Sequence, residues 1–368
     1  MVDKNLLYYI ALTAIPNIGS ITAKKLIAYT GSVNQIFSDK KSALEKIPGI
    51  GGVNAQSIIQ NKDFALSVAQ HELTFIEKNN IKAYTFLEDN FPKRLIHCED
   101  GPLVIFSKGE FNFNTQKVIS IVGTRNATDY GKDFCEKLIS DLVPHQPLIV
   151  SGLAFGVDIC AHKAAIKNNL PTIGVLAHGL DRIYPAIHNS TAKQMVENGG
   201  LVSEFISGTN PDRENFPKRN RIIAGLADLT IVIESSNKGG SLITANLANE
   251  YNRDVFALPG RINDTQSEGC NALIKQNKAN LIQSVKDVEY IMGWKAEETK
   301  KNNQTKLFVE LTNDEKTIYD ILNSQDKIAI DDIALLAKLP MSKTGSILLE
   351  MEFKNLVKSL PGKMFKVG

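Results

Sequence analysis

Between about Lys117 and Met292, short β-rich apolar runs alternate with helical stretches, and no other feature constrains the fold as tightly. The strand candidates are Val118–Val122, Leu148–Ser151, Thr172–Leu176, Gly200–Phe205, Leu229–Ile233 and Asp254–Leu258. Helical patterns separate them at Tyr130–Leu142, Gly156–Asn168, His188–Glu197, Lys218–Gly225, Ser241–Tyr251 and Gly269–Lys275. Strands alternating with helices imply βαβ units and a mainly parallel, twisted sheet. The predicted class is therefore α/β, with an extended Rossmann-like, doubly wound sheet over residues 81–295. Ligands of such sheets sit at the carboxyl ends of the strands, where the glycines of this chain fall.

Four loops at those ends carry phosphate-binding signals. Gly123-Thr124-Arg125 follows the first strand, joining a small residue, a hydroxyl and a planar guanidinium fork. It lacks the further glycines of GxGxxG, which disfavours a dinucleotide. Ser151-Gly152-Leu153-Ala154-Phe155-Gly156-Val157-Asp158 runs into a helix containing His162, with Asp158 placed to cap the helix start. Phe216-Pro217-Lys218-Arg219-Asn220-Arg221 sets three cations and an amide before an expected helix Ile222–Leu226, with an aromatic able to stack on an unpaired base. Lys238-Gly239-Gly240-Ser241 opens another helix, with Ser241 as the expected cap. The GxxxxGK[ST] spacing of a P-loop is absent, which argues against an ATPase. Four such loops along one sheet edge suit a ligand with several phosphates.

Local clusters have to supply that attraction, because 42 basic residues stand against 40 acidic ones for a net charge of +2. The four cysteines, Cys98, Cys135, Cys160 and Cys270, form no CxxC pair, which argues against a zinc site and suits a reducing, cytoplasmic setting. His162, His178 and His188 lack ligand spacing, so no metal and no cofactor is expected. The apolar run Leu6 to Ile15 is far shorter than the ~20 residues that span a bilayer, and it reads as a buried helix.

The flanks read differently. In residues 1–80, Ile15-Pro16-Asn17-Ile18-Gly19 with Ala23 recurs as Ile47-Pro48-Gly49-Ile50-Gly51 with Ala55, at one offset of 32 residues. This is a helix-hairpin-helix pattern, in which the turn presents backbone amides to a DNA phosphate or serves as a plain helical adaptor. After a charged linker at 296–311, Thr312–Leu322, Ile330–Ala337 and Ser342–Phe353 predict three helices, and Leu356–Val367 a β-ribbon turning at Pro361-Gly362. That is the outline of a winged helix over 312–368. Lys354, Lys358, Lys363 and Lys366 would form a phosphate-facing wing or a solvated face of a protein-contact module.

Taken in order, Ile121–Arg125, Ser151–Asp158 with Ala161-His162, Gly179-Leu180-Asp181 with Tyr184-Pro185, Phe216–Ala224, Lys238–Ala245 and Leu258-Pro259-Gly260 resemble the DNA-processing protein A family (DprA, also called Smf). The segment from Phe91-Pro92 to Gly109 resembles that family's entry into its core. The resemblance implies a homodimer without known catalytic turnover. It also implies that the protein binds and protects incoming single-stranded DNA during natural transformation and loads the RecA recombinase. By position, Gly123-Thr124-Arg125 and Lys218–Arg221 would hold phosphates, Phe216 would contact a base, and Lys238–Ser241 would line the same pocket. Phe155 stands where many relatives carry Lys or Arg, removing a cation from the rim or offering a ring to stack.

Two enzymatic readings compete. A similar Rossmann variant occurs in nucleoside-monophosphate phosphoribohydrolases, whose PGGxGTxxE loop carries a Glu; Lys238–Ala245 has none. A metal-dependent nuclease would need clustered carboxylates, for which Asp158, Asp181, Glu204 and Glu234 are candidates without partners in sequence.

Overall fold

The computed structural model describes residues 5–295, 311–325, 327–354 and 356–367. The chain divides into two compact units, Met1–Thr299 and Lys300–Gly368. The expected linker falls almost wholly outside the described residues.

The first unit begins with α1 (Leu6–Thr13), α2 (Ser20–Thr30), α3 (Val33–Ser38), α4 (Lys41–Leu44) and the long α5 (Gly52–Lys78). Both repeats are helix–turn–helix joints: Asn17 and Gly49 take the left-handed backbone of the turn, and Gly19 and Gly51 precede α2 and α5. Ala23 and Ala55 are fully buried, as the repeat requires for close helix approach. The helices do not form a separate core. Their apolar residues merge with Leu103, Val104, Phe106, Leu153 and Leu176 from the sheet region.

The remainder of the unit runs β1 (Lys82–Thr85), α6 (Lys93–Ile96), β2 (Val104–Lys108), β3 (Val118–Val122), α7 (Asp129–Asp141), β4 (Leu148–Ser151), α8 (Val157–Lys167), β5 (Thr172–Val175), α9 (Asn189–Glu197) and β6 (Gly199–Ser203). It continues with α10 (Asn215–Leu226), β7 (Leu229–Val232), α11 (Gly240–Glu250), β8 (Asp254–Ala257), α12 (Glu268–Lys275), β9 (Asn280–Leu281) and α13 (Val285–Met292). The strands form one sheet in the order β1-β2-β6-β5-β4-β3-β7-β8-β9, parallel from β6 to β9, with β1 and β2 antiparallel at one edge. All six expected strands are present. The sequence reading missed β1, β2 and the two-residue β9.

Side-chain alternation on β3 shows how the layers assemble. Val118 and Val122 join the core beneath α10, α11 and α12, while Ile119 and Ile121 join the opposite core beneath α7, α8 and α13. Ser120 sits fully buried between its neighbours and donates to Thr230 Oγ1 at 2.7 Å, so the one polar residue of β3 is satisfied across the strand pair. Strand order reverses between β3 and β7, which opens a crevice at their carboxyl ends.

The second unit contains α14 (Asn313–Asn323), β10 (Ile328–Ala329), α15 (Ile330–Ala337), α16 (Met341–Phe353), β11 (Val357–Leu360) and β12 (Met364–Val367), with a three-stranded sheet β10-β12-β11. This is the expected winged helix, with positive φ at Gly362 and Lys363 in the ribbon turn. The proposed lysine face needs correction at one position: Lys354 is tied to Glu315 Oε1 at 2.5 Å. Lys358 and Lys366 lie directly opposite each other on β11 and β12.

Candidate functional site

The β3 and β7 ends are tied together across the crevice: the Thr124 amide donates to the Glu234 carbonyl at 2.7 Å. Glu234 is buried and in turn accepts from the Thr128 amide at 2.8 Å and from the Thr128 hydroxyl, fixing the start of α7. The β4 loop closes over this joint, with the Val157 amide on the Thr124 carbonyl at 3.2 Å. Gly156 has φ +75° there, and a Cβ on it would strike the Thr124 and Arg125 backbone.

The resulting surface holds two adjoining recesses. The wider has about 820 Å³ of space open to solvent and brings together Gly123, Thr124, Arg125, Phe216, Arg219, Asn220, Gly239, Gly240 and Ser241. The narrower, about 410 Å³ with the solvent at its mouth included, is bordered by Arg125, Phe155, His178, Tyr184, Phe216 and Arg219. Arg125, Phe216 and Arg219 form the shared wall. The Arg125 guanidinium carbon lies 5.5 Å from the Phe216 ring centre and that of Arg219 lies 6.0 Å from it, both within cation–π range.

The string Phe216–Arg221 lies inside α10, in line with the helical pattern at Lys218–Gly225 and not with a helix that begins only at Ile222. Helical periodicity therefore divides it between two faces. Phe216, Arg219, Asn220 and Ile223 face the wider recess. Lys218 and Arg221 border a separate cleft with Gly19 and Ser20. The Arg221 guanidinium is committed there, donating to Glu204 and, at 2.5 Å, to the Asp100 carbonyl. Burial raises the Glu204 carboxyl pKa, and the Arg221 charge opposes that shift.

Arg219 also differs from an exposed phosphate fork. It is buried, donates to the Val175 carbonyl and faces the buried Asp158. Burial draws its pKa down to about 10, leaving it charged at neutral pH. Asp158 does not cap α8, whose N-cap is Gly156; from the first turn its carboxylate reaches back to the β4 loop and accepts from the Ala154 amide at 3.3 Å. Arg125 is the exposed cation of the shared wall.

Several small residues serve the fold rather than a ligand. A Cβ on Gly123 would meet Val157, and one on Gly152 would meet Asp158 and Arg219. Ser151 is buried, donating to the Ile121 carbonyl at 2.6 Å. Ser241 is not a cap; Gly239 precedes the helix and the Ser241 hydroxyl donates to Ser235 at 2.9 Å. Gly240 has open space around its Cβ position, so the amino end of α11 is approachable. Lys238 is exposed beside it and does not border either recess. Phe155 is half-exposed and packs edge-on against His188 at 4.9 Å.

Each nuclease candidate has a structural partner: Asp158 with Arg219, Glu204 with Arg221, Glu234 with Thr128, and Asp181 with Arg182 and the Gly208 amide. His162 is buried, its Nε2 donating to the Gly152 carbonyl at 2.5 Å, and burial lowers its pKa to about 4. The residue reading assigned no role to His178 and Tyr184, although both follow β5 and so belong to the strand ends that such sheets use for ligands.

Residues 82–292 match the family described as DNA recombination-mediator protein A, and residues 307–363 match the DprA winged helix domain. The chain is 37% identical over 251 residues to DNA processing protein DprA of Streptococcus pneumoniae, covering 68% of this chain and 87% of that protein. Protein Smf of Escherichia coli is 32% identical over 323 residues, covering 83% of this chain and 85% of that protein. The solved Streptococcus pneumoniae DprA superposes with a TM-score of 0.65 at 32% identity, over 77% of this chain and 96% of that one. A Helicobacter pylori DprA structure, described for its single-stranded DNA binding mode, gives 0.53 at 30% identity, over 58% of this chain and 95% of that one. With these matches over both its Rossmann-like sheet and its winged helix, the chain belongs to the DNA processing protein A family.

Proposed function

We propose that this protein binds single-stranded DNA along the crevice between β3 and β7, holding phosphates by charge and an unpaired base by stacking, without reading sequence. The observation that carries this reading is the shared wall, where an exposed guanidinium, Arg125, stands beside an aromatic ring, Phe216, at the mouth of both recesses. The amino end of α11 supplies a second phosphate position at the Gly240 and Ser241 amides with the helix dipole, the Gly239 amide being held by the Ser236 carbonyl. Stacking tolerates any base, and a strand follows a row of such sites where a duplex cannot unstack to do so.

The family reading extends this to protecting incoming DNA in transformation and delivering it to RecA, as a homodimer acting by binding rather than turnover. These steps rest on kinship with proteins named for DNA processing. Binding is tested by a salt series on single and double strands of equal length: affinity for the single strand should be higher and fall steeply with salt. Equal binding to the duplex refutes the crevice model. RecA delivery is tested by filament assembly on strands precoated with this protein. Release of adenine from AMP would instead revive the phosphoribohydrolase reading.

A further inference from the structure

Two of the four cysteines meet where α7 packs against α8. Cys135, on α7, is fully buried, and Cys160, on α8, is partly exposed at the edge of the same apolar core. The Cys160 thiol donates to the Lys132 carbonyl at 3.8 Å, one helical turn before Cys135 on the same face of α7. That contact seats its sulfur beside the Cys135 side chain, and the two thiols share a hydrogen bond. Cys98 and Cys270 belong to the core on the other side of the sheet.

The pair is chemically asymmetric. The Cys135 hydrogen bond lowers the Cys160 pKa, with Lys132 and Lys163 adding to the shift while burial and Glu136 oppose it. Cys160 also lies in the first turn of α8, where the helix dipole favours a thiolate. The same hydrogen bond, together with burial, raises the Cys135 pKa. Cys160 is therefore the nucleophile within reach of solvent, and Cys135 is the protonated thiol held against it. Burial pushes Cys98 up to about 11 and Cys270 up to about 12, which leaves both inert.

We propose that Cys160 and Cys135 are a reversible oxidation site, which a hydroperoxide converts into a disulfide tying α7 to α8. The Cys160 thiolate attacks the peroxide, the O–O bond breaks, and the departing oxyanion takes a proton. The Cys135 sulfur then attacks the Cys160 sulfenic acid, forming the S–S bond and releasing water that carries the Cys135 proton. Two thiols lose two electrons, and the peroxide is reduced to an alcohol, or to water when it is hydrogen peroxide. Contact with Cys135 captures the sulfenic acid before it reaches the irreversible sulfinic state, and a thiol reductant reopens the bond. Neither cysteine borders the recesses at the crevice, so the site does not rest on the DNA reading.

The test treats the reduced, full-length protein with equimolar hydrogen peroxide under native conditions, alkylates the remaining thiols in denaturant and maps the peptides. Most of the oxidised protein should carry one cross-link between Cys135 and Cys160, short of two hydrogens, with Cys98 and Cys270 alkylated. Dithiothreitol should return both thiols. Cys135→Ser should stop at a Cys160 sulfenic acid that dimedone captures, and Cys160→Ser should leave Cys135 unoxidised. Sulfinic acid at Cys160 without a cross-link in the native protein overturns the proposal. So does a cross-link that uses Cys98 or Cys270 as readily, or a pair that stays reduced. The native-protein map decides the matter even if a variant fails to fold.

Discussion

The Arg125 guanidinium and the Phe216 ring, 5.5 Å apart, are brought together by β3 and α10, which lie far apart in the chain. Both residues border both recesses, one bringing charge and the other an aromatic face. Removing either member should therefore weaken binding in a distinguishable way.

Arg125→Ala removes the exposed cation. Single-strand affinity should fall about tenfold, and the slope of log affinity against log salt should shrink by about 0.7, the value for one phosphate contact to a single strand. Lys218→Ala, a cation on the other face of α10, should change the slope less. Fluorescence anisotropy over a salt series measures both.

Phe216→Ala removes the ring but no charge. Affinity should fall by about 1–3 kcal/mol, with an unchanged salt slope, because stacking releases no counterions. Phe216→Trp should retain most of the binding. A change in salt slope for Phe216→Ala would place this residue outside the base contact.

Arg221→Ala should act on stability rather than on DNA. It leaves Glu204 and the Asp100 carbonyl without their donor in a mostly buried position. Breaking such a pair costs about 3 kcal/mol. Urea denaturation should show that loss, while the folded fraction binds the strand normally.

His162 makes stability depend on pH. Its folded pKa is held at about 4 by burial, below the ordinary value of 6.5. Above pH 6.5 both states are neutral at this ring and it contributes no pH dependence. Between 6.5 and 4 the unfolded chain takes up the proton first, so folding weakens by up to about 3 kcal/mol and levels off below pH 4. Denaturation at a series of pH values should show this decline, and His162→Gln should flatten it.

Much of the architecture was legible in the chain because it depends on local patterning. The apolar runs of β3 to β8 and the glycine-bounded helices between them mark βαβ units, and the Pro/Gly repeat marks two helical hairpins. The loops at Gly123 and Gly239 were legible as strand-end loops for the same reason. The edge strands β1 and β9, and β2 between β1 and β6, were not, since the pairing of β2 with β6 and of β9 with β8 depends on segments apart in sequence.

The amino-acid sequence by itself determined the order of elements from β3 to β8, the doubly wound sheet they form and the group of loops from which a site is built. Tertiary structure alone decided which side chains in those loops remain free for a ligand. Phe216–Arg221 reads as one basic cluster, but the pitch of α10 sends Arg219 inward to Asp158, turns Arg221 to Glu204 and leaves the exposed charge at the wall to Arg125. Gly123 and Gly152 read as room for a phosphate, yet side chains from neighbouring elements occupy that room. The partner a charge or a small residue meets is set by packing between distant segments, and no local pattern encodes it.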